Sequence, residues 1–352
     1  MKKFLSISLL VFMLIGVTSG CTKDDAKDPD TSGDANVEDN SGDIGNKLVL
    51  YSSMTENDLT NLVEGFNKEY PDVNIEIVNG SAGELTARIK AEQSNPQGDL
   101  MWGGISDSDG DEYADIFENW LSDHEDEVLD AYKSNNGYVN LDHLSTAVFC
   151  VNTDLEKELG LDIKGYPDLL DPALSGKIVM PDPNSSSSAW NNMSNIMSVY
   201  GINSDESWDY IEQLLRNKLI ISTSSSVAFQ SVQTGEYVVG LTYEDGAATL
   251  LKSGAENVRM VYPEEGTSAS AFGCAVIKDA PNMEAAKAMV NYIMSAEGQT
   301  YLGNALGTLR FTNSKAEYET PYLPATSEVK WVDRDVEAIK AEKDDILEKW
   351  NT

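Results

Sequence analysis

The sequence of 352 residues is poor in histidine, cysteine and basic side chains. Two histidines and three cysteines are too few for a histidine-rich zinc or copper centre or for a disulfide framework. Lysine and arginine number 25 against 59 acidic residues, which gives a formal net charge of −34. Such a chain is not expected to bind nucleic acid or to hold anionic lipid through a basic patch. Net charge alone does not exclude a small anionic ligand, because local dipoles decide what a pocket binds.

Common catalytic and nucleotide-binding motifs are also missing from the sequence. It contains no G-x-S-x-G, no Walker loop and no G-x-G-x-x-G. The two histidines leave little for histidine-based acid–base catalysis. We therefore expect a protein that is not an enzyme and that holds no cofactor.

The first twenty residues have the pattern of a secretory signal. Two lysines precede a mostly apolar run over residues 4–17, which is too short to span a bilayer comfortably. Small residues then precede Cys21, and this order resembles a bacterial lipobox, in which the cysteine is lipidated and becomes the mature N-terminus. The alternative is an ordinary signal with a chance cysteine. We expect residues 1–20 to be a lipoprotein signal peptide and Cys21 to carry the lipid.

Residues 21–46 are acidic and have almost no apolar side chains. Such a segment cannot bury enough apolar surface to offset the entropy of ordering, so it is expected to be a disordered tether. Together with the lipid, the tether predicts a globular body held at the cell membrane on the extracytoplasmic face, at the cell surface or in the periplasm.

From residue 47 onwards, short apolar segments alternate with helical patterns. Leu48–Tyr51 is apolar and is followed by apolar residues at helical spacing from Leu59 to Tyr70. The same strand–turn–helix order recurs later in the chain and predicts an α/β fold with largely parallel sheets. Ser53 with Glu56, and Ser81 with Glu84, have the spacing of a capping box and are expected to begin two of the helices.

Serines and acids cluster at five places where a predicted strand is followed by a helix. In open α/β sheets such junctions meet beyond the carboxyl ends of the strands, where ligands bind. Helix N-termini there favour anions, and serine hydroxyls can donate to a ligand oxygen. Any single serine can equally be a helix cap, but we expect at least three junctions to line a common cleft. The candidate residues at these junctions are Ser52, Ser53, Ser81, Ser185, Ser186, Ser187, Ser188, Ser224, Ser225, Glu244 and Asp245.

Five stretches make the sequence resemble the extracellular solute-binding proteins of bacterial ABC importers, in the branch that groups ferric-iron, thiamine, phosphonate and sugar-phosphate binders. These stretches are residues 48–54, 98–104, 174–183, 240–245 and 285–294. The resemblance implies a two-lobe periplasmic-binding-protein-like fold of type II. Each lobe would be a mainly parallel sheet flanked by helices, and a two-strand hinge would join them. A protein of this kind captures a solute between its lobes and delivers it to a membrane permease.

The resemblance also implies the limits of the lobes. The expected divisions are lobe one over 47–148 and 268–310, lobe two over 149–267, and a helical extension over 311–352. Cys150 and Cys274 then fall on the two hinge strands. A disulfide between them is one alternative and buried free thiols are the other. Free thiols are expected because disulfide geometry is demanding. The chain is expected to be a monomer.

The ligand expected from the resemblance is a small anion, such as 2-aminoethylphosphonate or a hexose phosphate. Serine-rich turns match those that phosphonate and phosphate-ester binders of this branch use, and Glu244 or Asp245 would hold the cationic or hydroxyl end. Trp102 would stack on the ligand or lie in the core. Iron binders of the branch hold the metal with adjacent tyrosines, and this chain has no such pair. A ferric site made by Tyr243, Glu244 and Asp245 is the alternative.

Overall fold

The computed structural model describes residues 44–107 and 113–352. The predicted signal peptide, Cys21 and nearly all of the predicted tether lie outside the described residues. Within the described part of the chain, no helix is long and apolar enough to cross a membrane.

The described residues alternate strands and helices from the first strand onwards. The strands are β1 (Lys47–Ser52), β2 (Asn74–Asn79), β3 (Leu100–Ile105), β4 (Asn140–Asn152), β5 (Ile178–Pro181), β6 (Ile220–Ser222), β7 (Val239–Tyr243), β8 (Val258–Val261), β9 (Ala269–Val276) and β10 (Arg310–Phe311). The helices are α1 (Glu56–Glu69), α2 (Ala82–Glu92), α3 (Thr153–Leu159), α4 (Ser187–Tyr200), α5 (Asp205–Arg216), α6 (Val227–Gln233), α7 (Glu244–Lys252), α8 (Met283–Met294), α9 (Ala296–Leu306), α10 (Val336–Ala341) and α11 (Lys343–Trp350).

The strands pair in the order β2-β1-β3-β9-β4-β7-β5-β6, with β8 and β10 added at β4. Strands β1, β2 and β3 are parallel to one another, and so are β5, β6 and β7. These are the strands that the strand–turn–helix pattern predicted. Strands β4 and β9 run antiparallel to their neighbours. β4 and β9 therefore add antiparallel pairs to sheets that are otherwise built from parallel strand–helix–strand units.

Strand β4 belongs to both lobes. Its first half, up to Thr146, pairs with β9, and from Ala147 onwards it pairs with β7. The partner change lies close to the boundary at residue 148 that the resemblance implies. A single strand of 13 residues thus connects the two lobes without an intervening loop.

Each lobe buries apolar side chains on both faces of its sheet. In β1, Leu48 and Leu50 face the cluster that α1, α8 and α9 cover, whereas Val49 and Tyr51 face the cluster beneath α2. This division follows from the alternation of side chains along a strand. Lobe two is built in the same way, with α4 and α5 on one face and α6 and α7 on the other. Each fully buried large apolar side chain contributes about 1.5–3 kcal/mol to folding.

The C-terminal extension returns from lobe one to lobe two. Strand β10 pairs with the lobe-one half of β4, and Trp331 then forms a bridge with Thr267. Further along, Ile346 on α11 is fully buried in the apolar cluster of lobe two, and Trp350 packs against the same cluster. The extension is therefore another connection between the lobes, and its last helix, α11, packs on lobe two.

Cys150 and Cys274 are both buried and free. The register pairs Cys274 with Asn140, which lies ten residues along β4 from Cys150 (150 − 140). At about 3.3 Å per residue the two thiols are far beyond disulfide reach. Burial also raises the pKa of the Cys150 thiol to about 12, so it is expected to be unreactive.

Candidate functional site

A cleft of about 820 Å³ lies between the lobes, beyond the carboxyl ends of the parallel strands. Its volume falls in the range of sites that bind small molecules. All five predicted junctions contribute residues, and β4 and β9 add His143 and Phe272. The predicted site residues that line it are Ser53, Ser81, Ser186, Ser187, Ser188, Ser224, Ser225, Tyr243 and Asp245. Their role in binding a ligand stays a prediction.

Ser52 and Trp102 do not line the cleft, because both side chains point into lobe one. Each is fully buried. The Ser52 hydroxyl donates to the Trp102 carbonyl at 2.8 Å and accepts from the Met54 N–H at 3.1 Å. The Trp102 indole donates to Asp142 at 3.1 Å. Trp102 is therefore a core aromatic residue, and Ser52 holds the turn that presents Ser53.

Ser185 and Glu244 also lie outside the cleft lining. The Ser185 N–H donates to the Asp182 carbonyl at 3.1 Å, which closes the turn before α4. The backbone of Ser185 instead faces lobe one, since its carbonyl oxygen is 3.3 Å from the position that a side chain on Gly83 would occupy.

Glu244 is part of a buried ion pair with Arg310. The Arg310 guanidinium donates from Nε and Nη2 to the two carboxylate oxygens at 2.8 and 3.0 Å. The Tyr262 hydroxyl donates to the same carboxylate at 2.5 Å. Both oxygens of Glu244 are thus taken by side chains of the protein. The partner Arg310 lies 66 residues away in sequence, and local patterns gave no signal for it.

The first helix begins two residues later than expected. Thr55 caps α1, and its backbone N–H and hydroxyl both donate to Asp58, at 3.0 and 2.7 Å. The predicted capping box of Ser53 with Glu56 is therefore wrong. The helix uses the same sequence pattern two residues later, with Thr55 as the cap and Asp58 as its acidic partner. The box of Ser81 with Glu84 is confirmed. The Ser81 hydroxyl donates its hydrogen bond to the Glu84 carboxylate as part of this cap.

The hydroxyls of two junctions of lobe two join into one group. The Ser186 hydroxyl lies 2.8 Å from that of Ser225 and 3.0 Å from that of Ser188. Ser224 and Ser226 are likewise 3.0 Å apart. Ser186 also caps α4, a helix of 14 residues. Rotatable hydroxyls at a helix N-terminus can turn their donors towards an anion, and the helix dipole favours negative charge there.

The lobes touch at one side of the cleft. The Ser187 hydroxyl of lobe two donates to the Gly104 carbonyl of lobe one at 2.6 Å. Gly104 has a φ of +71°, and a Cβ there would lie 2.6 Å from Ala82 Cβ and 2.7 Å from Ser53 Oγ. Only glycine therefore fits at this point of the cleft wall.

The other side of the cleft is acidic. Asp58 on α1 is fully buried, and Asp245 on α7 is 5% exposed. Burial raises the pKa of both carboxyls, and the charge of Asp58 raises that of Asp245 further. Sequence reasoning missed Asp58, for which the only signal was its place three residues after Thr55.

Lysine and arginine are absent from the described residues that line the cleft. His143 lines it, but its ring nitrogen lies 2.9 Å from the Asp142 carboxylate. Burial raises the pKa of Tyr243 well above 10, which disfavours the phenolate that ferric iron prefers. No group of three or more metal-binding His, Cys, Asp or Glu side chains occurs among the described residues.

Residues 61–330 match the sequence model of a family described as bacterial extracellular solute-binding protein. The chain belongs to this family. It is the substrate-binding protein of an ABC importer, with a small solute and a permease as partners. The family and its structural neighbours are solute-binding proteins rather than enzymes, as the missing motifs predicted.

The periplasmic binding protein AfuA from Actinobacillus pleuropneumoniae, with fructose-6-phosphate bound, has a similar structure. Its TM-score is 0.77 at 29% identity, covering 87% of this chain and 97% of AfuA. The predicted two-lobe fold of type II periplasmic binding proteins is thereby confirmed.

Two sequence relatives have different solutes in their names. The iron uptake protein A1 of Synechocystis is 25% identical, over 86% of this chain and 84% of its own length. A putative 2-aminoethylphosphonate-binding periplasmic protein of Salmonella typhi is 24% identical, over 74% of this chain and 76% of its own.

Proposed function

We propose that the cleft binds a small phosphonate or phosphate ester. The observation that carries this proposal is the joined group of serine hydroxyls at the start of α4, with Ser186 within 3.0 Å of both Ser188 and Ser225. These hydroxyls can donate to the three oxygens of one phosphoryl group, where charge-assisted hydrogen bonds are stronger than neutral ones. Because the described lining has no lysine or arginine, hydroxyls and helix N-termini are the donors.

Two of the similar proteins support this ligand class. The structure of AfuA has fructose-6-phosphate bound, and the Salmonella typhi relative is named for 2-aminoethylphosphonate. Both solutes have an anionic phosphoryl group at one end and hydroxyl or amino groups at the other.

A ferric ligand is the alternative, and the name of the Synechocystis relative favours it. The site residues do not support it. Of the three candidate ligands, Glu244 is held by Arg310 and Tyr262, and Tyr243 is kept protonated by burial. Asp245 alone supplies too few oxygens for octahedral iron.

The Ser186→Ala variant is expected to bind every phosphonate and phosphate ester about tenfold or more weakly. The change removes one hydroxyl that donates to the anion, and a hydrogen bond to a charged group contributes about 1.5–3 kcal/mol. Titration calorimetry with 2-aminoethylphosphonate, ethylphosphonate and glucose 6-phosphate measures the loss.

Ser198→Ala is the matched control, because Ser198 lies on the same helix, outside the described cleft lining, and its hydroxyl donates to the Ser194 carbonyl. It is expected to leave all affinities unchanged. Equal affinities for Ser186→Ala and the unchanged protein would contradict the proposed phosphoryl site.

We also propose that Cys21 is lipidated and holds the protein at the membrane on its extracytoplasmic face. The Cys21→Ala variant is expected to be released into the medium or periplasm, while its affinity for ligand in vitro stays the same. Fractionation of cells that produce either form measures this. Full retention of Cys21→Ala in the membrane fraction would contradict the lipid anchor.

A further inference from the structure

The acidic side of the cleft contains two carboxyl groups that each have one oxygen without a hydrogen-bond partner in the described part of the chain. Asp58 comes from lobe one and Asp245 from lobe two, and both line the cleft. In each, the Oδ1 oxygen is buried and has no partner in the described part of the chain. A buried acceptor without a donor destabilises the site, so a donor that arrives with the ligand would be favoured here.

A threonine hydroxyl nearby is in the same condition. The Oγ1 atom of Thr249, which lines the cleft, is buried without a partner among the described residues. The Thr308 hydroxyl lies beside Asp245 and lowers the pKa of its carboxyl, against the larger effect of burial. The acidic side therefore offers several acceptors to a group that carries several donors.

The other charged groups that face the two aspartates are already engaged. Glu244 is paired with Arg310, and His143 lies against Asp142. The Lys252 ammonium acts on both aspartates through its charge, but its hydrogen bond goes to the Ala305 carbonyl. Tyr243 also faces Asp245, and its hydroxyl stays protonated.

We propose that Asp58 and Asp245 together bind a primary ammonium group of the ligand. This rests on the proposed function and narrows the ligand class to amine-bearing phosphonates or phosphate esters. When the ligand binds, the ammonium N–H groups donate to the Oδ1 oxygens of both aspartates.

The electrostatics of the pair favour a cation. Burial raises the pKa of each carboxyl, and the charge of Asp58 raises that of Asp245, so a cation placed beside both would stabilise their charged forms. A metal ion is a poorer occupant than an ammonium, since hard cations need six or more oxygen ligands. Because one aspartate lies in each lobe, the ammonium would also draw the lobes together.

Titration calorimetry with 2-aminoethylphosphonate and with ethylphosphonate, which lacks the amino group, tests the ammonium site. Asp58→Asn and Asp245→Asn should each bind 2-aminoethylphosphonate roughly 10- to 100-fold more weakly, with little change for ethylphosphonate.

Asp154→Asn is the matched control, because Asp154 is an exposed acid on α3, away from the cleft. It should leave the affinity for both ligands unchanged. If the asparagine variants weaken both ligands equally, or weaken neither, the ammonium site is overturned. The phosphoryl site would still stand if Ser186→Ala weakens both ligands. If neither phosphonate binds, the proposed function itself fails.

Discussion

The Arg310→Ala variant is expected to lose about 3–5 kcal/mol of unfolding free energy. The side chains of Arg310 and Glu244 are only 9% and 2% exposed, and their two-point contact joins strand β10 of lobe one to helix α7 of lobe two. Removing the guanidinium leaves a buried carboxylate without its counter-charge and also frees the Pro324 carbonyl. Denaturation with urea, followed by circular dichroism, measures the loss.

The double variant Arg310→Met with Glu244→Met is the control for this prediction. It removes both charges and leaves no buried ion without a partner, so it is expected to lose less stability than Arg310→Ala alone. A loss below about 1 kcal/mol in the single variant, which is typical of exposed ion pairs, would contradict the buried position of this pair.

The Gly104→Ala variant is expected to lose about 2–5 kcal/mol of unfolding free energy and to bind ligand more weakly. The left-handed backbone costs about 1–2 kcal/mol with a side chain, and crowding in a packed wall costs about 1–3 kcal/mol more. The added methyl group would press on Ala82 and Ser53 and disturb the contact with Ser187. Thermal and urea unfolding, with titration calorimetry, measure the two effects.

Gly254→Ala separates the backbone cost from the crowding. Gly254 has a φ of +85°, and nothing lies within 4 Å of a Cβ placed there. This variant should lose only the backbone contribution of about 1–2 kcal/mol and keep its affinity for ligand. Equal losses for both glycines would show that the cleft wall at Gly104 can adjust.

The general fold could be predicted from the sequence because strand–turn–helix units are local. The run Leu48–Tyr51 and the following helix are contiguous, so apolar spacing and turn residues reveal both. The meeting of the serine junctions also follows, since parallel strands end at the same edge of a sheet. The long strand β4 and its antiparallel partners depend on contacts between distant residues, which local patterns do not contain.

Which side chains face the cleft could not be predicted at single-residue precision. Neighbouring residues at the end of a strand point to opposite sides, so Ser53 lines the cleft while Ser52 is buried. Sequence patterns could not distinguish Glu244 from Asp245 as the cleft-facing acid. The ion pair with the distant Arg310 shows that Glu244 is turned away from the cleft. Asp58 was missed because it lies within a helix, away from the serine-rich turns.

The most direct test of the account is ligand-induced stabilisation of the intact protein. Thermal unfolding is recorded alone and with 2-aminoethylphosphonate, ethylphosphonate, glucose 6-phosphate or ferric citrate. A phosphonate or phosphate ester at a hundred times its dissociation constant is expected to stabilise the folded state by about 2.7 kcal/mol, and ferric citrate to have no such effect. A rise in melting temperature with ferric citrate alone, accompanied by the colour of an iron–tyrosinate complex, would contradict the account.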